Sequence, residues 1–288
     1  MSYIQAIVIG LLQGVTELFP ISSLGHSVLI PALLGWNSLV KGQSADESFY
    51  LAFLVGLHVA TAIALLIFFW KDWERIARGF LRSVRHRKVD DDPDARFAWL
   101  LIIGTIPVGL FGLVFEHQLR TIFAKPLAAA IFLTINGVIL LGGELVRRRT
   151  DAHAASGKAP RRRLTTFKPL DALLVGGSEI LALFAGISRS GATMVAGLLR
   201  GLSHEDAARF SFMLATPVIL AAGFYKLPDL LGSNGSGVRG QILVGSICAG
   251  VAAYFSVRFL IRYFETRNLT PFGIYCVVFG VFCIFRFA

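Results

Sequence analysis

Charge is scarce in this chain. Only 16% of its 288 residues are Asp, Glu, Lys or Arg, while 55% are hydrophobic and the mean hydropathy is +0.67. A soluble domain carries about 25% charged residues, so a soluble enzyme, a disordered chain and a nucleic-acid-binding domain are all excluded. Cysteine is scarce too. Cys248, Cys276 and Cys283 all fall in apolar runs, where they read as small hydrophobes and not as a disulfide frame. No Cys/His cluster has zinc spacing. Lys and Arg are absent from the first forty positions, the first being Lys41. Lacking a positive n-region, the apolar opening is expected to belong to the mature fold and not to a signal peptide.

Apolar sequence, by contrast, is abundant and comes in bilayer-sized lengths. A spanning helix needs roughly 20 apolar residues, and six runs qualify: 49–70, 97–115, 127–146, 207–227, 241–261 and 271–287. Two further stretches, 4–34 and 170–202, are apolar but interrupted. The first is broken by Glu17-Leu-Phe-Pro-Ile-Ser-Ser23, the second by Ala185-Gly-Ile-Ser-Arg-Ser-Gly191. Backbone that leaves the helix at membrane depth must be satisfied by protein or by a wet cavity. The expectation is two re-entrant hairpins of half-helices; the alternative is two ordinary spans, each with a kink.

The net charge of +10 would suggest nucleic acid in a soluble protein, but in a membrane protein placement matters more than the sum. Residues 71–96 hold eight Lys/Arg and the basic loop 147–169 holds eight more. With Arg200, Arg209, Arg262 and Arg267 they account for 20 of the 28, all on one face if both interrupted stretches enter and leave on the same side. That face is expected to be cytoplasmic. The order becomes hairpin, three spans, basic loop, hairpin, three spans. Because three is odd, the second half (170–288) is inverted relative to the first (1–146). The expected fold is therefore an all-α polytopic membrane protein: six transmembrane helices and two re-entrant hairpins in an inverted-topology repeat, forming one membrane domain with both tips near the midplane. The segment 71–88 suits either an amphipathic surface helix or a solvated loop. Gly245–Ala253 is rich enough in small residues for a homodimer face or for packing within one chain.

The two breaks carry the chemistry. Ser188-Arg189-Ser190-Gly191-Ala192-Thr193 opens the second half-helix of hairpin two, and a helix N-terminus with an arginine fork suits a phosphate. An arginine at membrane depth costs at least ~2.5 kcal/mol, which favours a functional role over a purely structural pair with Glu17 or Glu179. In hairpin one, Ser22 and Ser23 follow Pro20, and His26 lies three residues after Ser23, so that both can face one cavity. The pair can serve as nucleophile and base, or His26 as nucleophile or acid; a histidine that only bridges the tip is the alternative. Glu17, one turn before the break and near His26, can bind a divalent metal, orient His26 or act as a base. Gln13 is on the same helix face, a weaker metal ligand. His58 and Thr61 line the cavity or are satisfied within their helix, and Asn136 and Ser211 read as interhelical glue.

On these residues the chain resembles the undecaprenyl-diphosphate phosphatase family, the bacitracin-resistance type of membrane phosphatase. The resemblance rests on Glu17-Leu-Phe-Pro-Ile-Ser-Ser-Leu-Gly-His26 and Gly186-Ile-Ser-Arg-Ser-Gly-Ala-Thr193, supported by Leu57-His-Val-Ala-Thr61, Gly104-Thr-Ile-Pro107 and Arg209-Phe-Ser-Phe-Met-Leu-Ala-Thr-Pro217. It implies hydrolysis of a C55 polyprenyl diphosphate to the monophosphate and inorganic phosphate. It also implies a divalent cation such as Mg2+ or Ca2+, and a site open to the outer face of the bacterial inner membrane. Glu17 matches the second acid of the family's Glu-x-x-x-Glu motif, Ser23 and His26 its Ser and His, and Ser188, Arg189, Ser190, Gly191 and Thr193 its phosphate-binding motif. Gln13 stands where the family has the first Glu, and Ala185 where a Pro usually precedes the Gly. Glu179 is the expected source of the missing acid. A different pattern of lipid phosphatase, Lys-x6-Arg-Pro with Pro-Ser-Gly-His, is absent. A transporter or flippase for a lipid phosphate or an anion is the alternative, since crossed half-helices also bind anions without chemistry.

Overall fold

Local capping signals start the helices. In a computed structural model that describes residues 1–36, 39, 49–89, 92–123, 125–155, 163–225 and 239–288, the described residues form helices and turns with no strand. Helix α1 (Tyr3–Thr16) opens with a capping box: Gln5 N–H donates to Ser2 Oγ at 3.2 Å and Ser2 N–H to Gln5 Oε1 at 2.8 Å. Helix α2 (Ser23–Leu33) is capped by Ser22. Then come α3 (Phe49–Phe68), α4 (Trp70–His86), α5 (Pro93–Phe123) and α6 (Pro126–Ala155). After the basic segment, α7 (Pro169–Gly177) runs into a 3-10 turn at Ser178–Leu183, followed by α8 (Arg189–Leu199), α9 (His204–Tyr225), α10 (Arg239–Thr266) and α11 (Thr270–Phe287). Five of these, α5, α6, α9, α10 and α11, are long and apolar enough to cross a membrane, and the bent pair α3–α4 makes a sixth. Their outer faces expose large apolar side chains, among them Leu110, Leu113, Ile247, Phe255 and Phe282, as lipid-facing surfaces do. This is a polytopic helical membrane protein.

Two differences from the sequence expectation, and one choice between its alternatives, have physical causes. The span expected over 49–70 ends at Phe68, where the axis turns by 84° into α4. Charge begins at Lys71, and a charged helix leaves the apolar layer. It then lays its buried stripe of Ile76, Gly79 and Ser83 on α5, with Trp99 Nε1 donating to Ser83 Oγ at 3.0 Å. The segment 71–88 is thus an amphipathic helix through His86 and not a loop. Second, the break in 170–202 begins at Ser178 instead of Ala185, because the Gly176-Gly177 pair weakens the helix there. Third, the small residues of Gly245–Ala253 are used inside the chain: Gly245 and Ala249 receive Gly10 and Gly14 of α1, where an added Cβ would strike backbone carbonyls. The same device joins α7 to α5, since a Cβ on Gly176 would land on the Gly104 carbonyl. Lys41, Lys226, residues 156–162 of the basic loop and the last two residues expected in the span 207–227 lie outside the described residues.

The α4–α5 joint is tied by Asp92. Its Oδ1 caps α5 by accepting from Asp94 N (3.0 Å) and Ala95 N (3.2 Å), while Oδ2 accepts both Arg82 Nε (2.9 Å) and Nη2 (2.6 Å). The Arg82 guanidinium holds the Asp92 carboxyl below its usual range.

Candidate active site

Two helix N-termini meet at the centre of the molecule. Gly25 of α2 packs so closely on Gly186 that a Cβ on Gly25 would lie 2.9 Å from the Gly186 Cα. Gly186 itself has φ +118° and sits against Ala129 and Leu133 of α6, so only glycine serves there. Ser22 takes φ 70°, an uncommon backbone for a residue with a side chain, and its contacts compensate. Its Oγ accepts from Gly25 N and from Gly186 N, each at 3.2 Å. One hydroxyl therefore caps α2 and holds the other tip. Asn136 of α6 completes the join. Its Nδ2 donates to Pro20 O at 3.0 Å, and its Oδ1 accepts from Ser188 N at 3.0 Å.

Beside this junction lies a buried ionic cluster. Arg189, the first residue of α8, donates from Nη2 to Glu17 Oε1 (3.1 Å) and from Nη1 to Glu179 Oε1 (3.2 Å). Its side chain is 12% exposed, against 5% for Glu17 and 0% for Glu179. The other Glu17 oxygen, Oε2, accepts from Ser23 Oγ at 2.6 Å and from Gln13 Nε2 at 3.1 Å. Glu179 Oε2 is buried without a hydrogen-bond partner. Such an orphan is costly in a finished core.

The structure thus brings together Gln13, Glu17, Ser23, Glu179 and Arg189. It does not bring His26 to them. His26 Nδ1 donates to Ser22 O (2.7 Å), so Nε2 accepts the Tyr275 hydroxyl (2.8 Å), and the ring packs in a three-ring cluster with Tyr275 and Phe279 of α11. The imidazole near Glu17 is that of His58, whose Nε2 lies 3.4 Å from Oε2 while Nδ1 bonds to Leu54 O at 2.8 Å. His58, with 24% of its side chain exposed, is the most open member of the cluster. Its sequence signals are an imidazole in an apolar run, read as lining the cavity or satisfied within its helix, and its place in the supporting stretch Leu57-His-Val-Ala-Thr61. Ser188 Oγ caps α8 by accepting from Gly191 N at 3.1 Å and meets Ser190 Oγ at 3.0 Å. The Ser190 and Thr193 hydroxyls are spent inside the protein, on Phe19 O (3.3 Å) and Ser211 Oγ (2.6 Å).

Among the described residues no three His, Cys, Asp or Glu side chains converge on a metal position. The carboxylates that do approach one another are those of Glu17 and Glu179, joined through Arg189, while Gln13 presents its Nε2 and not its oxygen to Glu17. A hard cation that keeps waters and borrows phosphate oxygens needs only one or two carboxylates, and the orphaned Glu179 oxygen is a free donor for it. The set fits a divalent cation in the presence of a phosphate ligand.

Fold and site together define an integral membrane helical protein with a carboxylate–arginine–serine centre built at the ends of two broken helices. Residues 6–282 match the family described as bacitracin resistance protein BacA, and the chain belongs to that family. It is 57% identical to the undecaprenyl-diphosphatase of Mycolicibacterium paratuberculosis, over 97% of this chain and 95% of that one. It is 53% identical to undecaprenyl-diphosphatase 2 of Frankia alni (100% and 98% covered) and 44% identical to undecaprenyl-diphosphatase 2 of Chromobacterium violaceum (98% and 97%).

Proposed function

We propose that this chain is an undecaprenyl-diphosphatase: it hydrolyses undecaprenyl diphosphate to undecaprenyl phosphate and inorganic phosphate, recycling a lipid carrier for envelope polymers. The observation that carries this reading is Ser23 Oγ at 2.6 Å from a Glu17 carboxylate whose other oxygen is held by Arg189 at the start of α8. Ser23 is the nucleophile. As its oxygen bonds the terminal phosphorus, the bond to the lipid monophosphate breaks and the hydroxyl proton passes to Glu17. Water then releases the phosphate from the serine and the proton returns to Ser23. Arg189 exchanges part of its hold on the two carboxylates for the phosphate oxygens, aided by the free N–H groups of the α8 N-terminus. His26 and Ser22 position the tip that carries Ser23. When bound, a divalent cation on Glu17 and Glu179, with Gln13 beside them, supplies charge neutralisation on the diphosphate. A transporter is the weaker reading, because passing an anion needs no serine bonded to a carboxylate.

The arrangement of the chain in the bilayer belongs to the same proposal. Helices α1–α2 and α7–α8 are re-entrant hairpins, and the halves are inverted copies. The packing supports this: α1 lies on α10 and α7 on α5, each hairpin against the second span of the other half, while α3 meets α9 and α6 meets α11. The basic face is cytoplasmic in a bacterial inner membrane, and the site opens to the periplasmic side. Cysteines placed at Arg87 and Arg267 are expected to label from the same side of the membrane. Labelling from opposite sides removes the inverted repeat.

Purified protein in detergent is expected to release phosphate from a polyprenyl diphosphate, and Glu179→Gln to need several-fold more divalent cation for half-maximal rate. Binding without release in the wild type overturns the enzyme reading; an unchanged cation requirement removes Glu179 from the cation site. Asn136 is a positioning residue. Asn136→Asp keeps the acceptor for Ser188 N and loses the donor to Pro20 O. The kcat is expected to fall about tenfold with KM within twofold, because small misplacements of reacting groups are costly. Steady-state kinetics on monodisperse protein check this.

A further inference from the structure

An apolar cavity shares none of its lining residues with the ionic cluster. It is a cleft of about 530 Å³ between α4 and α5, lined by Trp73, Ile76, Phe80, Leu101, Ile106 and Gly109 among others. Its lining on α5 runs from Ala98 to Leu110, roughly 18 Å of helix at 1.5 Å per residue. That is about the depth of one leaflet's hydrocarbon, half of a ~30 Å core. Trp73 of this lining carries an unspent polar atom just beneath the cleft surface. Trp73 Nε1 is buried with no hydrogen-bond partner, whereas the Thr105 hydroxyl is used on Leu101 O at 2.8 Å. A buried indole N–H ordinarily finds an acceptor.

At Ile76 this cleft adjoins a second, polar cavity of about 330 Å³ on the basic face. Asp72, Arg75, Asp94, Arg96, Asp206 and Arg209 contribute to its wall, three charges of each sign. Arg75 and Arg209 both donate to Asp72 Oδ1, at 2.5 and 2.7 Å, and Arg96 donates to Phe167 O at 2.7 Å; each guanidinium has five N–H donors and so keeps others free. Asp94 and Asp206 have no ion pair among the described residues.

We propose that these adjoining cavities form a binding site for one zwitterionic phospholipid with an amine-bearing headgroup, of the phosphatidylethanolamine type. The acyl chain fills the apolar cleft, the ester carbonyl accepts the Trp73 N–H, the phosphate meets the arginines, and the ammonium meets Asp94 and Asp206. The balanced charge of the polar cavity selects a zwitterion over an anionic headgroup. The orphaned indole selects a glycerolipid over a polyprenyl phosphate, whose oxygens all sit on its phosphate and which has no carbonyl at the depth of Trp73. The proposal rests on the membrane fold and not on the phosphatase reading.

The test is native mass spectrometry of delipidated protein in mild detergent, offered equal amounts of phosphatidylethanolamine, phosphatidylglycerol and undecaprenyl phosphate. One retained phosphatidylethanolamine per chain is expected, at least fivefold over either competitor. Gly109→Leu fills the cleft from a position where an added Cβ meets nothing within 4 Å, and is expected to cut retention at least fivefold while leaving phosphate release unchanged. Ile106→Trp is a second variant of the same design. Trp73→Phe keeps the ring, loses the donor and is expected to weaken retention about 3–10-fold. Equal retention by both cleft-filling variants overturns the site. Equal retention of phosphatidylglycerol overturns the headgroup assignment, and preference for undecaprenyl phosphate makes the cleft a product site instead.

Discussion

Replacing Ser23 with alanine is expected to lower kcat for phosphate release about 10³-fold, with KM changed less than threefold. The substitution removes one hydroxyl whose hydrogen bond to Glu17 is the shortest in the cluster, at 2.6 Å. It leaves Arg189 and the α8 N-terminus, the groups proposed to hold the phosphate, in place. Ground-state binding therefore survives while the step that moves the proton to Glu17 is lost. The fold should tolerate the change, because α2 is capped by the Ser22 hydroxyl and not by Ser23. Rapid quench with substrate labelled in its terminal phosphate should show a labelled wild-type protein and an unlabelled Ser23→Ala. A variant that keeps more than a tenth of wild-type kcat would remove Ser23 as nucleophile.

Arg189→Lys is expected to reduce kcat/KM about 100-fold, although the formal charge is kept. The guanidinium reaches Glu17 with one nitrogen and Glu179 with the other, at 3.1 and 3.2 Å. A single ammonium nitrogen lacks that planar fork. It would satisfy one carboxylate well and leave the other buried, and breaking a buried pair costs about 3–5 kcal/mol. The variant should therefore lose stability as well as activity. Arg189→Ala should be worse on both counts. Thermal unfolding in detergent, read beside the kinetics, separates them: Glu179→Gln in the Arg189→Lys background removes one unpaired charge and should recover stability without recovering rate. Arg189→Lys within fivefold of wild type would mean that a point charge is sufficient.

How much of this was legible in the sequence varied with the range of the interaction. The broken helices were readable because Pro20, Ser22, Gly186 and Arg189 interrupt apolar sequence, a conflict visible within a few residues. Glu17, Ser23 and Gln13 were readable together for the same reason, being close in the chain. His26 was not. Its spacing from Ser23 allows a shared cavity, yet its ring is claimed by Tyr275 from 249 residues away. His58 reaches Glu17 from a different helix, and no periodicity announces that contact. Asn136 was recognisable as glue but not as the residue joining both tips, since its partners Pro20 and Ser188 lie 116 residues before and 52 after it. The 84° turn at Phe69 was half legible: the onset of charge at Lys71 implies an end to the span, while the direction of the next helix depends on the α5 surface that receives it.

The meeting of the two tips also sets an order of events at the ribosome. Glu17 and Arg189 are 172 residues apart. At a synthesis rate of ~5–20 residues per second, roughly 10–35 s pass between making the acid and making its partner. Through that interval Glu17 has His58, Ser23 and Gln13 beside it in the first half but lacks its arginine. In the proposed re-entrant arrangement, the first hairpin waits near water, or in the shelter of the insertion machinery, until the second arrives to draw it in. Catalytic competence is then the last property the nascent chain acquires, and it arrives together with the closing of the fold.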